Sequence, residues 1–284
     1  MLRQKKVKQI LKYIQHKWYR YPIPITYREV DLLRNGPSVL VNTIPKSGTN
    51  LIGRVLALMP TIASRWRYHI SMMAPGARDQ VFRVRSGQVA TVHWKWEELS
   101  RELIKSSTRV FLMVRDPRDI VVSNAFYIAN QNERHRLHEY FSSLKSDEER
   151  ILASIQGISS EELGGMRRSK SMGEHLRGFL PWIDQDECVL VRFEDLIGAR
   201  GGGDQERQIQ CIRRIADHIE YSLSQRELTS IADRAFSTDS KTFRKGKTGD
   251  WRNHFTEQHV QATKKTMGEV LVRLGYEKDD QWGV

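Results

Sequence analysis

Four short runs of apolar residues, separated by longer stretches with helical spacing, organise this chain. Residues 38–44 (SVLVNTI), 89–94 (VATVHW), 109–114 (RVFLMV) and 188–193 (CVLVRF) are almost continuously apolar, as strands covered on both faces are. After the first run, Leu51, Ile52, Val55, Leu56 and Met59 fall on one helical face that stops at Pro60. A second helix is expected after the third run. There Asp116 is a good N-cap, Pro117 suits the first helical position and Asp119 favours the positive helix end. Residues 205–220, 224–235 and the tail from Thr256 to Gly275 read as further helices. Strands alternating with helices predict an α/β protein with a central, mainly parallel sheet flanked by helices.

Other stretches are less periodic. Residues 61–88 read as a loop region able to line a pocket, and residues 130–170 as a polar helical or mobile insertion. Arg200-Gly201-Gly202-Gly203 reads as a flexible turn. Near the start, Val7, Ile10, Leu11, Ile14 and Trp18 recur at helical spacing with lysines opposite, ending at Tyr21-Pro22-Ile23-Pro24. That helix is expected to pack on the domain, with a membrane-surface helix as the alternative. The chain is therefore read as one domain: a basic helical extension over 1–36 and a core over 37–284.

Composition sharpens the picture in two respects. With 46 Lys and Arg against 34 Asp and Glu, the 284-residue chain carries a formal charge of +12, which favours anionic partners without choosing among nucleic acid, membrane and a phosphate-rich small molecule. Its two cysteines, Cys188 and Cys211, do not make a disulfide framework and read as reduced thiols, Cys188 in the core. No signal peptide and no membrane-length apolar run is visible, so a cytoplasmic location is expected.

Three segments carry the chemistry. Pro45-Lys46-Ser47-Gly48-Thr49-Asn50 joins a buried strand to a helix N-terminus, where backbone N–H groups and the helix dipole favour an oxyanion. Gly48 permits close approach, Lys46 adds a full charge, and Ser47 and Thr49 add hydroxyl donors. The lysine precedes the glycine, so this is not the nucleoside-triphosphatase loop. In the second segment Arg115 ends a strand and Ser123 follows in the next helix, a placement that suits a second phosphate; an ion pair of Arg115 with Asp116 or Asp119 is the competing reading. The third runs from Phe243 to Phe255 and alternates Lys and Arg with Gly and aromatics, a pattern that also fits nucleic-acid binding.

Taken together, PKSGTN, RDPRDIVVS and RKGKTGDWRNHFT resemble, in order, the signatures of the cytosolic-type sulfotransferases that use 3′-phosphoadenosine-5′-phosphosulfate (PAPS). The resemblance implies a three-layer P-loop-like fold and transfer of sulfonate from PAPS to a hydroxyl or amine of a small acceptor, releasing PAP. It implies no metal, no nucleic-acid partner, no membrane span, and a monomer or weak homodimer. Ser47, Gly48, Thr49 and Asn50 would hold the 5′-phosphosulfate; Arg115, Ser123, Arg244, Lys245 and Gly246 would hold the 3′-phosphate. Lys46, His93 and Ser123 make up the expected catalytic set, with His93 as base and with His69, His254 and the carboxylates Glu97 and Glu98 as competitors. The acceptor pocket is expected to draw on Trp66, Tyr68, His93, Trp94, Phe126 and Tyr127.

The chain departs from the family pattern at several places. Thr91 stands where a lysine is usual, with Lys95 as a substitute. Leu51 stands where a tryptophan stacks on adenine, which leaves that role to Phe236. Phe193 replaces a tyrosine at the nucleotide site, and RNHFTEQHVQ alters the usual dimer contact. The rival readings are a P-loop kinase-like enzyme, a non-catalytic basic protein that binds nucleic acid or membrane, and an inactive relative that binds PAP only.

Overall fold

The computed structural model describes residues 27–64, 67–236 and 247–283. The helix expected over residues 5–19, together with Trp66, Arg244, Lys245 and Gly246, lies outside these residues.

Five strands form one sheet: β1 (Val39–Thr43), β2 (Arg67–His69), β3 (Val89–Val92), β4 (Arg109–Val114) and β5 (Cys188–Arg192), in the order β2-β3-β1-β4-β5. Every pairing is parallel. The four strands read from the apolar runs are all present. β2 is an addition within the stretch taken as loop. It is three residues long, Arg-Tyr-His, and pairs on one side only, so no apolar run marks it.

The α-helices, in chain order, begin with α1 (Tyr27–Asn35), α2 (Thr49–Leu58), α3 (Ala77–Val81), α4 (Glu98–Ile104), α5 (Pro117–Asn130) and α6 (His138–Ser143). They continue with α7 (Asp147–Gln156), α8 (Met172–Arg177), α9 (Phe193–Leu196), α10 (Gln205–His218), α11 (Gln225–Ala235) and α12 (Glu257–Arg273). Among the described residues no helix is long and apolar enough to cross a membrane.

Alternation along the strands builds two cores. Val39, Val41, Val89, Phe111 and Met113 face α2, α10 and α11, while Leu40, Ala90, Val110, Leu112 and Val114 face α5, α7, α8 and α12. Burial on both faces explains why these strands read as unbroken apolar runs. Residues 130–170 are part of the second helical layer: Ile151 and Ile155 of α7 are buried in that core, and Ser146 caps the helix by accepting from the Glu149 N–H at 3.1 Å. Cys188 and Cys211 are free and buried, and burial pushes both thiols up to about 12.

The helical layer is packed to backbone contact. At Gly173 in α8 an added Cβ would lie 1.9 Å from the carbonyl oxygen of Thr266 in α12. Helix propensity alone favours alanine over glycine there by about 1 kcal/mol. We expect the opposite for Gly173→Ala: a loss of about 1–3 kcal/mol in urea unfolding, because the clash is with backbone that cannot rotate away. A stabilised variant would show that α8 and α12 are not held this closely.

Candidate active site

The strand order turns at β1, which lies between β3 and β4, so the chain leaves the sheet in opposite directions from adjacent strand ends. That is where open parallel sheets place ligands. Three loops converge there: residues 44–48 after β1, His93 after β3 and Arg115 after β4.

The loop after β1 is fixed by Met113 at the end of β4. The Met113 carbonyl accepts the Ile44 N–H at 3.2 Å and the Ser47 hydroxyl at 2.9 Å. The buried Ser47 thus uses its proton to shape the loop. Lys46 takes a left-handed backbone conformation, φ 70°, at a cost on the order of 1 kcal/mol for a non-glycine residue. Its ammonium sits 3.8 Å from the centroid of the Tyr127 ring. Gly48 follows at φ 107°, and a Cβ there would stand 2.7 Å from Cδ2 of Phe193 and 2.9 Å from Cε of Met113. Gly48 is also the N-cap of α2, and no side chain caps that helix. The positive end of α2 is therefore left for an anion.

His93 is placed by a side chain that imitates a strand. Asn42, buried in β1, donates to the Trp94 carbonyl at 2.7 Å and accepts the Trp94 N–H at 2.9 Å, which continues the β1–β3 pairing past the last ladder residue. His93 is held between Val92 and this clamp. Its Nδ1 lies 2.7 Å from the Thr43 carbonyl oxygen. A carbonyl can only accept, so Nδ1 carries the proton and Nε2 of the neutral ring keeps its lone pair. Burial lowers the His93 pKa, with the Thr43 contact opposing. The Thr43 hydroxyl extends the network to Thr49 of α2 at 2.8 Å. The exposed His69 stands beside it, ring centroids 5.0 Å apart, with Nδ1 3.0 Å from the Thr91 hydroxyl.

The third loop is organised by a buried carboxylate. Asp119, in the first turn of α5, accepts the N–H of Gly249 at 2.8 Å and of Trp251 at 3.0 Å and lies 3.5 Å from Arg115. Burial raises its pKa and Arg115 opposes that rise. Arg115 donates to the Lys247 carbonyl at 2.8 Å, stacks 4.5 Å from the centroid of Phe193, and has a buried Nε with no hydrogen-bond partner among the described residues. The ion-pair reading of Arg115 with Asp119 thus holds while donor capacity remains. Arg118 is buried against the rings of Trp251 and Trp282, at 4.1 and 4.7 Å, and is bound to Asp116 and Glu277. Ser123 is buried on α5.

Several sequence-based expectations need correction or placement. Trp94, expected at the acceptor pocket, is core: it is 2% exposed, packs on Trp182 at 5.9 Å and donates its indole N–H to Glu97 at 2.8 Å. Glu97, a competing base, is bound to Arg78 and held below the ordinary carboxylate range; Glu98 lies in the first turn of α4 and is exposed. His254 packs on Phe126 at 5.3 Å, with Nε2 3.4 Å from Asp250. Tyr68 and Tyr127 are half-buried, Leu51 of α2 and Phe236 after α11 are partly buried and pack on the core that α2 shares, and Asn50 is exposed. Asn42, Thr43 and Arg118 went unread as site builders. The one signal for Asn42 and Thr43 was two polar residues inside an apolar run. Among the described residues no group of three or more His, Cys, Asp or Glu side chains could hold a metal ion.

The sequence pattern described as "Sulfotransferase domain" matches residues 36–275. Mouse Sulfotransferase 2A6 is 26% identical over 266 residues, spanning 82% of this chain and 84% of its own. Human Sulfotransferase 2A1 is 24% identical over 264 residues, spanning 83% and 85%. The crystal structure of mouse sulfotransferase SULT7A1 complexed with PAP aligns with a TM-score of 0.58 at 15% identity, covering 87% of this chain and 90% of that one, a likeness of fold.

The Asp119 hub yields an expected outcome independent of any activity. Asp119→Ala leaves two backbone N–H groups and part of the Arg115 guanidinium buried without their acceptor. That should cost about 3–5 kcal/mol in equilibrium urea unfolding. A loss below about 1 kcal/mol would mean water or a neighbouring acceptor replaces the carboxylate.

Proposed function

The chain belongs to the sulfotransferase family, and from that premise we propose that it moves the sulfonate group of PAPS onto a hydroxyl or amine of a small acceptor and releases PAP. The observation that carries this reading is the convergence of three distant segments on one end of the sheet. The 45–49 loop and Arg115 leave neighbouring strands, and Arg115 and Asp119 tie down residues 247–251, which directly follow the basic stretch 244–246. The uncapped N-terminus of α2 suits the phosphosulfate end, and the spare Arg115 donor suits the ribose phosphate. We read residues 37–284 as a single catalytic domain.

The roles follow from the protons. As the acceptor oxygen attacks sulfur, its proton passes to Nε2 of His93, the lone pair left by the Nδ1–H···O bond to Thr43. The S–O bond to the phosphate breaks, and Lys46 with the loop amides stabilises the charge that builds on the leaving phosphate. Ser47 keeps the loop in shape through Met113. The residues supply positioning and charge, and the scheme forms no covalent enzyme intermediate. A kinase-like reading has less support, since Lys46 precedes Gly48 instead of following it.

Thermal-shift titration tests the nucleotide half: PAP should stabilise the protein far more than ATP with Mg²⁺. Equal stabilisation would favour the kinase-like reading. Lys46→Ala and His93→Ala should each lower turnover by roughly 10²-fold or more while PAP still binds the His93 variant. The pH profile tests the base. Histidine is competent when neutral, and burial lowers the His93 pKa from its usual value of about 6.5. The acid limb of kcat/KM should therefore fall below about 6.5 and disappear in His93→Ala. A limb above 7 would remove His93 from the role.

A further inference from the structure

Past β3 the chain carries Lys95 out of the sheet two residues after His93. The Trp96 N–H donates to the Gly178 carbonyl at 2.7 Å, which docks this segment against the residue that ends α8. The Lys95 methylenes lie on Gly178: a Cβ there would stand 2.6 Å from Cδ and 2.9 Å from Cγ of Lys95. His175 occupies the last turn of α8, its ring 5.7 Å from Phe179, and Lys170 immediately precedes Ser171, the N-cap of the same helix. Lys95, Lys170 and His175 thus stand within electrostatic reach of one another, and His175 within reach of His93.

The carboxylates of the same segments are engaged elsewhere. Glu97 is bound to Arg78 and accepts the Trp94 indole N–H. Glu174 takes two bonds from Arg168, at 2.8 and 3.0 Å, and accepts the Ser171 N–H at 3.0 Å, although its charge still reaches Lys95. Among the described residues neither Lys95 nor Lys170 is part of an ion pair. Burial with these positive neighbours holds the Lys95 ammonium below its ordinary range and pushes His175 down to about 4. A neutral His175 keeps one N–H donor beside the two ammonium groups. A half-buried cation crowded by like charge, with its one nearby carboxylate bonded to an arginine, gains when an anion enters.

We propose that the acceptor bears an anionic group such as a carboxylate, gripped by Lys95, Lys170 and His175 while its hydroxyl is presented to His93. This names the acceptor class for the activity proposed above and rests on that reading.

The test uses the full chain saturated with PAP and two phenols that differ by one charge, 4-hydroxybenzoate and methyl 4-hydroxybenzoate, in calorimetric titrations at pH 7.5 and low salt. The acid should bind roughly tenfold more tightly than the ester, the scale of one charged hydrogen bond. Added salt should erode that preference. The double variant K95Q/K170Q, titrated at a PAP concentration shown to saturate it, should bind both phenols alike. Equal affinity of the unaltered protein for the two probes, absence of acid binding, or a preference that survives in the double variant would each overturn the proposal. Failure of PAP itself to bind would instead strike the sulfotransferase reading, and this proposal with it.

Discussion

The site depends on one buried carboxylate. Asp119 is held in the first turn of α5 and 1% exposed, yet it bonds across to two backbone N–H groups some 130 residues later in the chain and faces Arg115. A charge so deep is tolerated only when its oxygens are satisfied, and here a guanidinium, two amides and a helix N-terminus satisfy them. The Gly249–Trp251 backbone is drawn to the sheet end in consequence. Arg118 secures the same junction from behind, between Trp251 and Trp282 and bonded to Asp116 and Glu277. Two charged residues of RDPRD therefore serve as cross-links, and Arg115 retains a spare donor for a ligand.

A second constraint sets the chemistry. Because Asn42 holds both backbone groups of Trp94, the residue before it cannot swing, and its ring meets the Thr43 carbonyl. The Nδ1–H bond selects the tautomer, and the tautomer decides which nitrogen can take a proton. The Thr43 hydroxyl links that ring to Thr49 at the start of α2. His93 and the N-terminus of α2 are thus coupled through a single residue of β1, so their spacing is a property of the strand.

The sheet was legible because strands buried on both faces leave unbroken apolar runs, and the helix starts because Asp116-Pro117 and Gly48 are local signals. β2 was not, since an edge strand of Arg-Tyr-His has no such run, while α1 falls within the extension read as helical over 1–36. Trp94 reads as a pocket wall because it is an aromatic next to a candidate base, and its burial against Glu97 and Trp182 has no local signal. Glu97 reads as a candidate base in the sequence, whereas in the fold Arg78, 19 residues earlier, occupies it. Side-chain pairs over such distances leave no periodic trace in a sequence.

The fold tolerates wide divergence for a reason visible in its parts. The sheet needs only apolar residues of suitable volume on alternating faces, which many sequences supply; a TM-score of 0.58 at 15% identity is what such a scaffold permits. The residues at the ends of β1, β3 and β4 are set by backbone ladder bonds and by the paired side chains of Asn42, Ser47 and Asp119, so little there can change without breaking the spacing. The residues around Lys95 and His175 are held differently, by one backbone bond to Gly178 and by packing at the end of a six-residue helix. Substitution there alters charge and shape without disturbing β1, β3 or β4. The stretch around Lys95 and His175 is therefore where this chain can change at least cost to the ends of β1, β3 and β4.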